Sequence, residues 1–218
     1  GVVGFAYELL DFDPRIEAAV RYVIVLRDRG LSMETLFIEL LEPTARHLGK
    51  MWDNDACDFI DVTLGVARLQ KLLAAFNNTH SCDALDMRRT VLMAMTPGDQ
   101  HFFGVTMVER FLEGSGWKVQ TETAACAEEI AEAARTRWFA VAGLTAGSTH
   151  MIDSLSETIG LIRKRSQNPH IGIMVGGPLF AEDPSLVAAV GADATAPSAP
   201  TAVLVAQKLS DAASVHLN

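Results

Sequence analysis

Long apolar runs are missing from this 218-residue chain: no uninterrupted stretch approaches the roughly 18 to 20 residues that a membrane-spanning helix needs, and no charged-then-apolar leader opens it. A soluble protein is expected. Cysteine is scarce, and Cys57, Cys82 and Cys126 are odd in number and far apart, with no Cys-x-x-Cys spacing for zinc or a redox pair. A reducing cytoplasm fits that usage. Basic residues are also in short supply, 18 Lys and Arg against 27 Asp and Glu, and they are scattered without a dominant run. The net charge of −9 speaks against autonomous DNA or RNA binding. What the chain has is apolar content, 49% of it, enough to bury one large core or two small ones.

Two halves differ in periodicity. From Pro14 to about Asn78 apolar residues recur at three and four, as in Ile16, Ala19, Val20, Val23 and Ile24, then Leu36, Phe37, Leu40 and Leu41, then Leu69, Leu72, Leu73 and Phe76. This predicts a four-helix bundle over residues 1–80, packed antiparallel. Gly30 ends the first helix, Ser32 caps the second, and Pro43 breaks or kinks the run to begin a third. The polar stretch from Asn77 to Met87 reads as a linker. Beyond it, over residues 88–218, short apolar runs at Thr90 to Met95, Trp117 to Thr121, Phe139 to Leu144, Ile171 to Val175 and Ala192 to Ala196 suit strands buried on both faces. Helical patterns separate them, which predicts an α/β fold with a doubly wound, parallel five-stranded sheet.

Ligands of such sheets sit beyond the carboxyl ends of the strands, where strand order reverses. The loops expected there carry Thr96 to Gly104, Thr145 to Thr149, and Gly176-Gly177-Pro178, small or polar residues suited to a ligand that approaches the backbone closely. Neither Gly-x-Gly-x-x-Gly nor a Walker loop follows the first strand, so a nucleotide fingerprint is absent. The sharpest pattern is Asp99-x-His101-x-x-Gly104. A loop histidine can present one ring nitrogen to a metal while a carboxylate two residues away accepts the other N–H. One histidine cannot hold a bare ion, and no further ligand follows at useful spacing, whereas a metal already held by four macrocycle nitrogens needs a single axial donor. The alternative is a solvated loop histidine with no ligand.

The Asp99-x-His101-x-x-Gly104 motif, the Thr145 segment and Gly176-Gly177 together resemble the cobalamin-binding Rossmann-like, flavodoxin-like domain. The helical half is similar to the bundle that precedes that domain, so the resemblance runs from about residue 14 to 209. It implies that His101 replaces the cofactor's own benzimidazole as lower axial ligand of cobalt, that Asp99 supports it, and that Gly104 is a close-packing position. Gln100, Phe102 and Phe103 fall within the same loop. The displaced nucleotide tail is implied to run into a cleft floored by Thr145, Gly147, Thr149, Gly176 and Gly177. Thr145 stands where family members usually have the serine of Ser-x-Leu, and Gly147 stands where they have the leucine.

In the bundle, the segment from Glu42 to Trp52, with Pro43, Thr44, Ala45, Leu48 and Gly49, resembles the part that covers the corrin's upper face, where an aromatic plate excludes water. Taken alone, Trp52 reads as core. Ten residues on, the family's adenosylcobalamin light sensors carry Glu-His; here Val62-Thr63 occupy those positions, so the upper-ligand histidine is missing and hydroxo- or aquocobalamin is the implied form. A helix-turn-helix module, which those sensors carry ahead of the bundle, is not seen. What remains resembles stand-alone cobalamin-binding antirepressors of the AerR/PpaA type. For these the resemblance implies no enzymatic activity, but a light-dependent contact with a DNA-binding repressor of the CrtJ/PpsR type. A corrinoid methyl carrier of a methyltransferase system is the alternative; such carriers usually read Asp-x-His-Asp-Ile-Gly-Lys, where this chain has Phe102-Phe103-Gly104-Val105. His47, His150 and Cys57 read as an ordinary helix histidine, an exposed first-turn histidine and an unactivated thiol.

Overall fold

Helix signals in the first half translate directly into geometry. The computed structural model describes residues 15–76, 89–97, 102–123 and 126–215, and the chain divides into two compact units, Gly1–Leu85 and Asp86–Asn218. In the first unit, α1 (Arg15–Asp28) closes at Gly30, where the Leu31 N–H donates back to Leu26 O at 3.0 Å, the six-to-one bond that satisfies a last-turn carbonyl. Ser32 then caps the next run as expected, its Oγ accepting the Thr35 N–H at 3.0 Å. That run comprises α2 (Met33–Leu36), a π turn (Phe37–Leu41) and α3 (Glu42–Asp53). Asp58 and Asp61 cap each other's backbone N–H groups (2.8 and 3.1 Å) to open α4 (Phe59–Phe76).

Pro43 does not separate two antiparallel helices. Leu41 and Glu42 both keep right-handed helical dihedrals, and the Glu42 N–H donates five residues back to Phe37 O. One extra residue in the turn accommodates the proline, which has no N–H to offer the preceding turn. The second and third predicted helices therefore run on as one. The Arg27 guanidinium, near the end of α1, donates to the carbonyls of Ala75 and Phe76 at the end of α4 (3.2 and 3.1 Å), so α1 and α4 lie parallel and a cation meets the negative end of a helix. Leu36, Phe37, Leu41, Ala45, Leu48, Val62, Val66, Leu69, Leu72 and Leu73 fill the unit's core.

The second unit is a parallel sheet in the order β2-β1-β3-β4-β5, from β1 (Thr90–Met95), β2 (Lys118–Glu122), β3 (Val141–Thr145), β4 (Gly172–Gly176) and β5 (Ala194–Thr195). Its helices are α5 (Phe102–Gly114), α6 (Ala127–Thr136), α7 (Ile152–Arg165), the short α8 (Pro178–Glu182) and α9 (Leu186–Ala189), and α10 (Ala199–Val215). Strands β1, β3 and β4 are buried as predicted, but β2 is an edge strand, with Lys118 exposed and its other residues half-buried. Because side chains alternate across a strand, Leu92, Ala94, Ala142, Leu144, Ile173 and Val175 share one face, which packs with α6 and α7. The opposite face carries three in-register rows, Val91–Val141–Gly172, Met93–Gly143–Met174 and Met95–Thr145–Gly176, under α5 and α10. Past β4 the Asp193 carboxylate accepts the Ile173 N–H at 2.7 Å and takes an ion pair from Arg163 at 2.9 Å.

Candidate functional site

Strand order reverses between β1 and β3: the chain leaves β1 for β2 on one side, and β3 pairs on the other. Loops diverge at such a point and leave a crevice at the carboxyl edge. Here that edge is stiffened by backbone groups. The Thr96 N–H and Oγ1 both donate to Thr145 O, at 3.1 and 2.5 Å, which carries the β1–β3 pairing one rung past the strands. The Ala146 N–H donates to Gly176 O at 3.2 Å and does the same for β3 and β4.

Thr145 ends β3 half-buried, yet its Oγ1 is shielded from solvent and has no hydrogen-bond partner among the described residues. Leaving a buried hydroxyl unpaired costs on the order of 1–3 kcal/mol, so such an atom marks a place where a partner is wanted. Beside it, Gly177 adopts φ +118° and ψ 165°, open to glycine almost alone, and a Cβ there would fall 2.5 Å from Ala146 O. Gly176 lies in the same row as Thr145, with only Ala196 O near its missing Cβ, at 3.5 Å. Gly147 is half-buried, while Thr149 and His150 are exposed in a 3-10 turn, Thr149–Met151.

Gly98, Asp99, Gln100 and His101 lie outside the described residues. Phe102 and Phe103 are the first two residues of α5. Gly104 follows, exposed, and a Cβ there would meet nothing within 4 Å. The side it leaves bare faces open space. Among the described residues no group of three or more His, Cys, Asp or Glu could hold a metal ion.

In the helical unit, Trp52 is half-buried near the end of α3 and meets Phe59 edge-on, with ring centroids 6.4 Å apart. Val62 is fully buried. Thr63 is half-buried and turns its hydroxyl onto its own helix, donating to Phe59 O at 2.8 Å. Burial pushes the Cys57 thiol above its ordinary value, and Asp61 and Asp58 push it further, as expected of an unactivated cysteine. Sequence reasoning missed Thr96, whose two donors fix the crevice; a threonine ending an apolar strand gives no signal until the strand order is known.

Comparison with known proteins agrees with this geometry. Residues 89–204 match the family model described as "B12 binding domain". An "Uncharacterized 20.5 kDa protein in bchF-crtJ intergenic region" of Rhodobacter capsulatus is 26% identical over 169 residues, 77% of this chain and 88% of that one. The crystal structure of a cobalamin-binding protein from Desulfitobacterium hafniense superposes with a TM-score of 0.57 at 20% identity, covering 96% of this chain and 98% of that one. The methanol:cobalamin methyltransferase complex MtaBC of Methanosarcina barkeri gives 0.53 at 17%, covering 94% and 83%. At these identities both structures speak to the fold alone. With just over half of its length matching the family model, the chain belongs to the B12-binding domain family and is a cobalamin-binding protein.

Proposed function

We propose that this protein is a light-responsive transcriptional regulator of the cytoplasm, an antirepressor that acts through contact with a DNA-binding repressor of the CrtJ/PpsR type. The observation that carries it is the crevice at the β1–β3 reversal, beside which lie the Thr145 hydroxyl and Gly177, with the Asp99-x-His101-x-x-Gly104 motif following β1 in the sequence. These residues fit cobalamin: Thr145 Oγ1 lacks a partner that a nucleotide base can supply, and Gly177 keeps the backbone clear beside it. In this reading His101 would be the residue that ligates cobalt, and Asp99 would hold its tautomer. Light would act on the cobalt–carbon bond of an alkylcobalamin and yield the hydroxo form that this chain would hold, with Thr145, Gly176 and Gly177 seating the tail.

Support for the regulatory branch comes from three sides. The Rhodobacter relative is described by a place between bchF and crtJ. The net charge of −9 suits work through a protein partner rather than on DNA directly. Among the described residues the exposed large apolar side chains, Tyr22, Val25, Ile38, Ile60 and Leu64, all belong to the helical unit, as suits a surface that works against another molecule. A ligand can raise partner affinity only by its differential affinity for two states of the protein, so hydroxocobalamin must favour the partner-competent state.

The wild-type protein is expected to hold hydroxocobalamin as a red complex, and His101→Ala to weaken that complex by about tenfold or more, roughly the 1.4 kcal/mol or more expected of a lost coordinate bond. Visible-range titration checks this, and normal retention of the corrin with an unchanged spectrum defeats the axial assignment. Operator occupancy by a CrtJ/PpsR-type repressor, measured with holoprotein in dark and light, then tests the regulatory branch. Cobalt methylation by a methyltransferase, with no effect on occupancy, would favour the methyl carrier instead.

A further inference from the structure

The two edges of the sheet are finished differently. Beyond β4 the Asp193 side chain takes up the Ile173 N–H, and β5 spans only two residues. At the other edge β2 runs for five residues, packed on β1 and α5, and among the described residues no strand lies outside it. The Lys118 N–H donates inward to Arg89 O at 2.9 Å. Backbone groups alternate along a strand, so Lys118, Gln120 and Glu122 turn theirs toward β1, while Val119 and Thr121 each turn an N–H and a C=O outward. The register pairs Gln120 with Leu92 and Glu122 with Ala94. This sets the side chains of Lys118, Gln120 and Glu122 on one face of the sheet and those of Val119 and Thr121 on the other. On the first face Arg137 donates to Gln120 Oε1, and Gln120 Nε2 donates to Glu122 Oε1 at 2.6 Å.

We propose that β2 is a self-association edge, on which a second copy of this chain pairs its own β2 antiparallel about a two-fold axis at Gln120 and so joins two sheets into one. Backbone and charge single out the same register. It sets Val119 opposite Thr121 of the second copy, so that every outward N–H and C=O of these residues finds its complement. It also sets Lys118 opposite Glu122 of the second copy, and by symmetry the reverse, so the strand's only full charges meet their opposites. Moving the axis to Thr121 or Val119 puts Gln120 opposite Glu122 or Lys118 and loses both ion pairs. An edge lysine ordinarily discourages pairing; here a two-fold copy answers it. Such pairing closes on itself, and with the far flank blunted by Asp193 it stops at two copies. Because the paired strands run antiparallel, the carboxyl edges of the two sheets point in opposite directions, and association makes no demand on the crevice at Thr145.

The test is sedimentation equilibrium of the full-length protein. A dimer with a dissociation constant of about 10–100 µM is expected, since one strand pair buries less than a standard interface, and hydroxocobalamin should leave that constant within about twofold. Lys118→Glu and Glu122→Lys each set like charges opposite one another and are expected to weaken the dimer about tenfold. Mixed together, the two variants restore opposite charges at both ends, and a mixed dimer within about threefold of the wild-type affinity is expected. Thr121→Pro removes an outward N–H while sparing the bonds to β1 and should abolish the dimer; should that variant fail to fold, the charge pair and its mixture carry the test. Amide exchange gives a local readout: protection of the Val119 and Thr121 N–H groups should rise with protein concentration. A chain still monomeric at about 500 µM, charge variants that dimerise as wild type does, or a mixture that recovers nothing overturns the proposal. So does a dimer that forms only with hydroxocobalamin, which would place association at the cofactor edge instead.

Discussion

Gly177 and Gly104 show how differently one residue type can be used within a single site. At Gly177 the dihedrals and the 2.5 Å approach to Ala146 O both demand the missing Cβ. Gly177→Ala should therefore destabilise the apoprotein by about 1–3 kcal/mol, read as a lower urea midpoint with an unchanged slope. Gly104 is helical and in the open, so Gly104→Ala should leave stability equal or raise it by about 0.5–1 kcal/mol while weakening cobalamin binding. If Gly104→Ala destabilised as much as Gly177→Ala, the contrast between a built-in approach and an exterior one would fail. Cys57 makes the opposite point: its burial and its two carboxylate neighbours keep the thiol protonated, and whatever stability this protonated state contributes is lost only as pH climbs past the unfolded thiol's value.

Between Met33 and Asp53 the π turn is an element-scale solution to a residue-scale problem. Leu36, Phe37 and Leu41 are buried ahead of Pro43, and Thr44, Ala45, Leu48 and Met51 behind it. Both sets face the core only because the turn carries one residue more than an α-helix would; taking one residue out of an ordinary turn rotates the downstream part of the helix by about 100°. Deleting exposed Glu39 in a Pro43→Ala background should thus heal the turn and keep the fold, with a thermal midpoint near that of Pro43→Ala alone. Deleting exposed Arg46, within regular α3, should instead cause a large loss of stability; equal tolerance of the two deletions would refute this account.

The same elements show what could be read in advance. Periodicity placed each strand of the sheet within a residue or two, because strands of a parallel sheet are short apolar runs. Pro43 was legible as a disturbance, but its resolution by continuation was not, since that depends on which residues the rest of the bundle buries. The rows that put Met93, Gly143 and Met174 together were illegible for a related reason. A strand buried on both faces has no alternation to reveal its register, so the site's motif could be found while the in-register rows could not.

For the whole molecule, the division into a helical unit and a wound sheet separates two demands. The sheet unit has its own continuous core, from Leu92 and Ile130 through Leu155 and Ile162 to Phe180. Charge acts on the molecule entire: with −9 overall, the holoprotein alone should show no retention of duplex DNA in a gel-shift assay even near 50 mM salt, where cationic contacts would be strongest. Retention that weakens steeply with added salt would contradict this and call for a direct role on the operator.

Asp193 has a consequence beyond the fold it helps to close. By accepting the Ile173 N–H with its side chain just ahead of β5, it takes a donor that a longer β5 would have paired, and β5 begins only at Ala194 and spans two residues. A sheet that finishes in so short a stub offers a second molecule little backbone to template on. The protein is thereby guarded, on that flank, against being extended strand by strand into a fibre.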